Sequence, residues 1–149
     1  MRALMVILAV LTGIGLSFQA GVNARLGQHT PTPFHAAFLN FVVGSVLLLA
    51  ASLIAAPGAG LAMSRLGQAP WWTWLGGLLG AAFVAMAVKT TPVLGVVLML
   101  SCAIAGQMIG SVVIDQFGML GLPVRSLTPG RVIGLGLVFA GVVLVLKER

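Results

Sequence analysis

Val88-Lys89-Thr90-Thr91-Pro92-Val93, "VKTTPV", is the briefest polar interruption in a chain that is otherwise apolar for long stretches. Threonine followed by proline is a helix-start signal. The hydroxyl accepts from a free N–H of the first turn, and proline's missing N–H costs nothing at the first helical position. Read this way, residues 89–91 are a connector: one apolar run ends at Val88 and the next begins at Val93. So short a link returns the second run antiparallel beside the first. Thr32-Pro33 and Thr128-Pro129 repeat the signal elsewhere, and Ala69-Pro70 is a weaker version of it.

Outward from this break, five runs are predicted to span a membrane: residues 3–22, 34–55, 71–88, 93–114 and 130–146. Each approaches the about 20 residues that hydrocarbon requires. Residues 56–69, rich in Gly and Pro, read as a loop or short interfacial turn. Gly118, Gly121 and Pro123 mark the connector at 116–128. Trp71, Trp72 and Trp74 belong at the headgroup boundary, where their amphipathic rings are favoured.

Composition agrees. Of 149 residues, 60% are hydrophobic and 7% charged, against about 25% charged in a soluble domain. Water is therefore not the main solvent, and the chain reads as a single membrane domain over residues 1–149. Eight Lys and Arg face only Asp115 and Glu148, for a net charge of +6. They are spread singly, without an aromatic platform, which excludes nucleic acid and leaves lipid headgroups as their partners. Cys102 is the single cysteine and sits in an apolar run. Residues 2–16 look like a signal peptide, but four further runs need a membrane anyway, so the first run reads as a retained helix. No metal cluster, nucleophile–base pair or phosphate loop is present, so no enzyme activity, cofactor or metal is expected.

Alternating five spans puts Arg2, Arg65, Arg125 and Arg131 on one side, and Arg25, Lys89, Lys147 and Arg149 on the other. Orientation follows Lys/Arg bias, and four against four gives none. Insertion both ways, followed by pairing of inverted copies, would supply the inverted repeat on which many transporters are built.

Residues three or four apart share a helix face. Thr12, Gly15, Gln19 and Asn23 form one such stripe. Ala37, Asn40 and Gly44 form a second, and Ala103, Gln107, Ser111 and Asp115 a third. Lipid leaves polar groups unpaired, so they turn toward the bundle or a cavity. Each amide alone fits interhelical glue; three stripes favour a shared cavity. An inverted partner would bring Gln107 to the depth of Gln19 and Asn40. Asp115 falls near an interface, with Arg125 and Arg131 as partners, either as a structural ion pair or as a coupling carboxylate. Lys89 reads as a snorkelling flank or an attractor for an anionic solute. His29 and His35 read as loop residues without a partner. Gly76/Gly80, Gly106/Gly110 and Gly130/Gly134 carry the small-residue spacing of close helix contacts.

"QAGVNARLG", "FHAAFLNFVVGS", "PWWTWLGGLLGA", "GQMIGSVVIDQFGMLG" and "PGRVIGLGLVFAGVVLVL" together resemble the YdcZ-like, five-helix branch of the drug/metabolite transporter superfamily. The last segment is also similar to the terminal, dimer-forming helix of small multidrug resistance transporters. The resemblance implies a multi-pass protein of the cytoplasmic membrane. It would work as an antiparallel dimer, either of one dual-topology chain or of oppositely oriented homologues. Multidrug exporters of the superfamily bind cations through a glutamate in their first helix. Thr12, Gln19 and Asn23 stand here without an acid, so cation–proton exchange is not implied.

The sequence thus predicts an all-α integral membrane fold with five transmembrane helices per chain, assembling as an antiparallel, inverted dimer of ten helices. Its expected function is alternating-access transport of a small polar or amphipathic solute, neutral or anionic. Gln19, Asn23, Asn40, Gln107 and Ser111 line the expected binding cavity. A passive dual-topology ion channel and a non-transporting membrane scaffold are the alternatives.

Overall fold

The computed structural model describes residues 2–56 and 67–148, with the side chain of Arg2 excluded. Residues 57–66, the larger part of the turn expected within residues 56–69, lie outside the described residues. Among the described residues the α-helices are α1 (Arg2–Gly27), α2 (Pro33–Ala55), α3 (Leu75–Phe117) and α4 (Pro129–Lys147). A 3-10 turn at Trp71–Trp74 leads into α3, with its indoles exposed, and a second at Met119–Gly121 follows α3.

Among the described residues, four helices and not five are long and apolar enough to cross a membrane. The five-span expectation, and the ten-helix count of an inverted pair, are corrected accordingly. The difference lies in VKTTPV. Residues 89–92 are helical, so the first of these runs continues through VKTTPV, and the stretch Trp71–Phe117 counts as one apolar span in which two helical segments meet at a kink. Regular dihedrals fail three residues beyond the proline, at Gly95 (φ 72°, ψ 160°).

The physical reason is relative cost. Leaving the helix at residues 89–91 strips several backbone groups of partners where lipid supplies none. Proline inside a helix forfeits its own N–H bond and crowds the carbonyl four residues back. Glycine takes a positive φ without a Cβ clash, so the irregularity settles at Gly95. The same dipeptide does start the other two helices. The Thr32 hydroxyl accepts from the His35 N–H at 3.4 Å, and Thr128 from the Arg131 N–H at 3.4 Å. Pro33 and Pro129 stand in those first turns. Lys89 becomes an exposed helical residue instead of a flank. The four-against-four charge count and the depth match of Gln107 with Gln19 both rested on five alternating spans, and neither carries over.

The chain divides into two units, Met1–Val93 and Leu94–Arg149, and α3 contributes to both. In the first unit α1 turns into α2 through residues 28–32. The N–H groups of Gln28, His29 and Thr30 donate back to the carbonyls of Arg25, Leu26 and Gly27. His35 is not partnerless: its Nδ1 lies 2.7 Å from the Thr32 hydroxyl. Ala36 and Ala37 of α2 pack with Val84, Ala85 and Val88 of α3, and Leu26 of α1 lies against them. Gly27 meets the Val88 side chain more closely than any Cβ would allow. Phe41 lies beside Gly80, so α3 begins antiparallel to α2.

Among the described residues the buried set is dominated by alanine and no large side chain is fully buried, whereas Phe18, Leu48 and Ile54 are 74%, 73% and 79% exposed. Small residues inside and bulky apolar ones outside reverse the soluble pattern. Helices held together in lipid rely on close backbone approach, because lipid tails satisfy Leu and Phe as well as a core would. Of the six glycines at small-residue spacing, only Gly80 faces another side chain. A Cβ on Gly76, Gly106, Gly110, Gly130 or Gly134 would meet nothing within 4 Å.

Candidate functional site

The predicted site residues divide between the two units. In the first, Asn23 lies on α1 and Asn40 on α2, and those two helices pack together. Asn23 is 4% exposed. Asn40 is half-buried, but its Nδ2 is buried without a hydrogen-bond partner among the described residues. Gln19 is exposed on α1. Measured back from the α1 end and forward from the α2 start, Gln19 and Asn40 lie about 12 Å and about 10 Å in. They therefore sit at similar depth in the helix pair. Thr12 belongs to the same stripe, but its hydroxyl is already bonded to the Leu8 carbonyl at 2.9 Å.

Thr91 is a residue that sequence reasoning placed in the wrong role. Read as a cap, it is instead 5% exposed inside α3, with its hydroxyl unpartnered among the described residues. The available signal was the apolar helix-forming sequence on both sides of it, which argues against a chain break.

In the second unit, the end of α3, the following loop and the start of α4 line an open pocket of about 400 Å³. Ser111, Asp115, Arg125 and Arg131 supply its polar lining, and Met108, Leu135 and Val138 part of its apolar wall. Asp115 Oδ2 and Arg131 Nη1 are 3.4 Å apart, with side chains 34% and 41% exposed. The loop is tied down around them. The Arg125 N–H donates to the Asp115 carbonyl at 2.8 Å, and Arg131 Nη1 donates to the Arg125 carbonyl at 3.2 Å. Gln116, which sequence reasoning missed, accepts from the Leu127 N–H at 3.0 Å. Its position at the end of a helix, before a Gly-rich connector, was the available signal. Gln107 is exposed and does not line this pocket. Ser111 does, with its hydroxyl bonded to the Met108 carbonyl at 3.0 Å. No group of three or more His, Cys, Asp or Glu that could hold a metal occurs among the described residues.

These features define a class: an all-α, multi-pass integral membrane protein that keeps polar groups at buried positions and in a pocket while turning its bulk to lipid. More particularly, the chain belongs to the YdcZ family of the drug/metabolite transporter superfamily. That family is described as "Putative inner membrane exporter, YdcZ", and its profile matches residues 4–144. The chain is also similar to the inner membrane protein YdcZ of Escherichia coli (strain K12). The two are 31% identical over 139 residues, which is 93% of this chain and 92% of that one. No solved structure matches it. The family is one of inner-membrane transporters of small solutes, not of enzymes.

Proposed function

We propose that this chain moves a small polar or amphipathic solute across the cytoplasmic membrane by alternating access, as an antiparallel homodimer of oppositely inserted copies. The observation that carries this reading is the buried, unpartnered Nδ2 of Asn40 beside the helix that bears buried Asn23. An orphaned buried amide costs about 1–3 kcal/mol. An apolar side chain carries no such cost, so packing alone does not account for the amide. A solute or facing subunit that brings an acceptor removes the cost. Gln19, Asn23 and Asn40 of each chain form the amide set.

Two features support dual insertion. No end or connection of the chain gathers more than two Lys or Arg, so nothing strongly fixes its orientation. Gln19 and Gln107 are exposed in helices that lipid would otherwise surround, where a partner subunit can satisfy them and lipid cannot. The family description names an exporter, and outward movement is the direction we assign.

Counterflow in proteoliposomes tests the function. The expected result is saturable exchange for at least one member of a panel of neutral and anionic solutes, lost in Asn40→Ala and reduced in Gln19→Ala. The proposal fails if no panel member exchanges, or if flux is conductive and far faster than a carrier cycle.

A further inference from the structure

The pocket of the second unit has a chemistry that the amide reading does not use. Its polar end holds two guanidinium groups and one carboxylate. Arg131 is engaged by Asp115 at 3.4 Å. The main-chain N–H and carbonyl of Arg125 are both bonded, which fixes this residue at the pocket rim. Its guanidinium enters no hydrogen bond or ion pair among the described residues. The pocket therefore carries one positive charge in excess, at the loop end of the α3–α4 pair. The α4 N-terminus adds the positive end of its dipole on the same side. Away from the loop, about one to two turns deeper along α3 and α4, the wall is apolar, formed by Met108, Leu135 and Val138.

We infer that this pocket binds an amphipathic monoanion, a carboxylate or phosphate ester on an apolar chain. Arg125 and Arg131 hold the head, and the Met108–Leu135–Val138 wall takes the first part of the chain. A bare inorganic anion would leave that wall empty, and a neutral amphiphile would leave the excess charge unanswered. The volume, about 400 Å³, suits a headgroup and several methylenes rather than a whole lipid. Asp115 competes with the ligand for Arg131, so it weakens binding instead of taking part in it. This site does not depend on the transport reading: absent solute flux leaves it untouched.

Decanoate is the probe, titrated calorimetrically into the full-length protein held in phosphatidylcholine nanodiscs. The expected result is saturable binding, weakened about tenfold to a hundredfold in Arg125→Gln, since a charge-assisted bond is lost. Asp115→Asn is expected to bind several-fold more tightly, a gain that misfolding cannot mimic. Decanol and acetate are expected to compete poorly. Discs containing phosphatidylglycerol identify the source of the natural ligand. If that lipid displaces decanoate, the occupant is a bilayer phospholipid; if it does not, the occupant is a free amphiphilic anion. Non-saturable partition, equal affinity for decanol, or unchanged affinity in both Arg125→Gln and Asp115→Asn would overturn the assignment.

Discussion

Asn40→Leu separates function from stability more sharply than any other single change. Asn40 Nδ2 is buried without a partner, and the residue as a whole is half-buried on α2. Leucine keeps asparagine's branching at Cγ and its number of side-chain heavy atoms, is bulkier through its two methyl groups, and brings no donor. Removing the orphaned group recovers most of its desolvation cost, about 1–3 kcal/mol. Because the residue is only half-buried, the lower half of that range is expected, raising the unfolding midpoint by on the order of 2–5 °C. Solute exchange is expected to be lost in the same variant, because the amide that meets solute or partner is gone. The paired assays are thermal unfolding of purified protein and counterflow in proteoliposomes. A variant more stable than wild type and inactive fits an amide held for function. A variant less stable than wild type, or one that transports normally, refutes the reasoning.

Five further changes test the fold. Gly27→Ala places a methyl group into the Val88 side chain and is expected to cost about 1–3 kcal/mol, read by thermal unfolding. After α3 the chain turns through three left-handed residues, Gly118 (φ 57°), Leu120 (φ 59°) and Gly121 (φ 75°). Leu120→Gly relieves a side-chain penalty and is expected to stabilise by about 1 kcal/mol. Gly118→Ala is expected to destabilise, because its Cβ would lie 2.7 Å from Val124 Cγ2. Thr128→Ala removes the cap on the Arg131 N–H and is expected to cost about 1 kcal/mol, with Thr32→Ala similar.

The membrane class was legible because composition leaves no alternative solvent, and the starts of α2 and α4 were legible because cap and proline act locally. VKTTPV was misread for the complementary reason. A cap motif states what is possible at a position, but whether a helix ends there depends on what unpaired backbone would cost and on where a cheaper break exists. Gly95 offered that break, and in a chain with 20 glycines nothing marked it out. At the candidate site, helical spacing grouped Gln19 with Asn23 correctly on one helix. It could not distinguish a buried Asn23 from an exposed Gln19, because burial depends on which neighbour packs there. The Asp115–Arg131 pair was within reach of sequence reasoning, since one acid and two arginines flank one connector. The apolar wall that turns the pair into a pocket was not, because Met108, Leu135 and Val138 look like every other lipid-facing residue.

Antiparallel pairing is tested most directly by mapping the orientation of one terminus. A cysteine added after Arg149, in a Cys102→Ala background, is labelled with a membrane-impermeant maleimide in intact spheroplasts and again after lysis. Dual insertion predicts that a substantial share of molecules, on the order of half, reacts from each side. Labelling from one side alone, in cells that contain no oppositely oriented homologue, would contradict it.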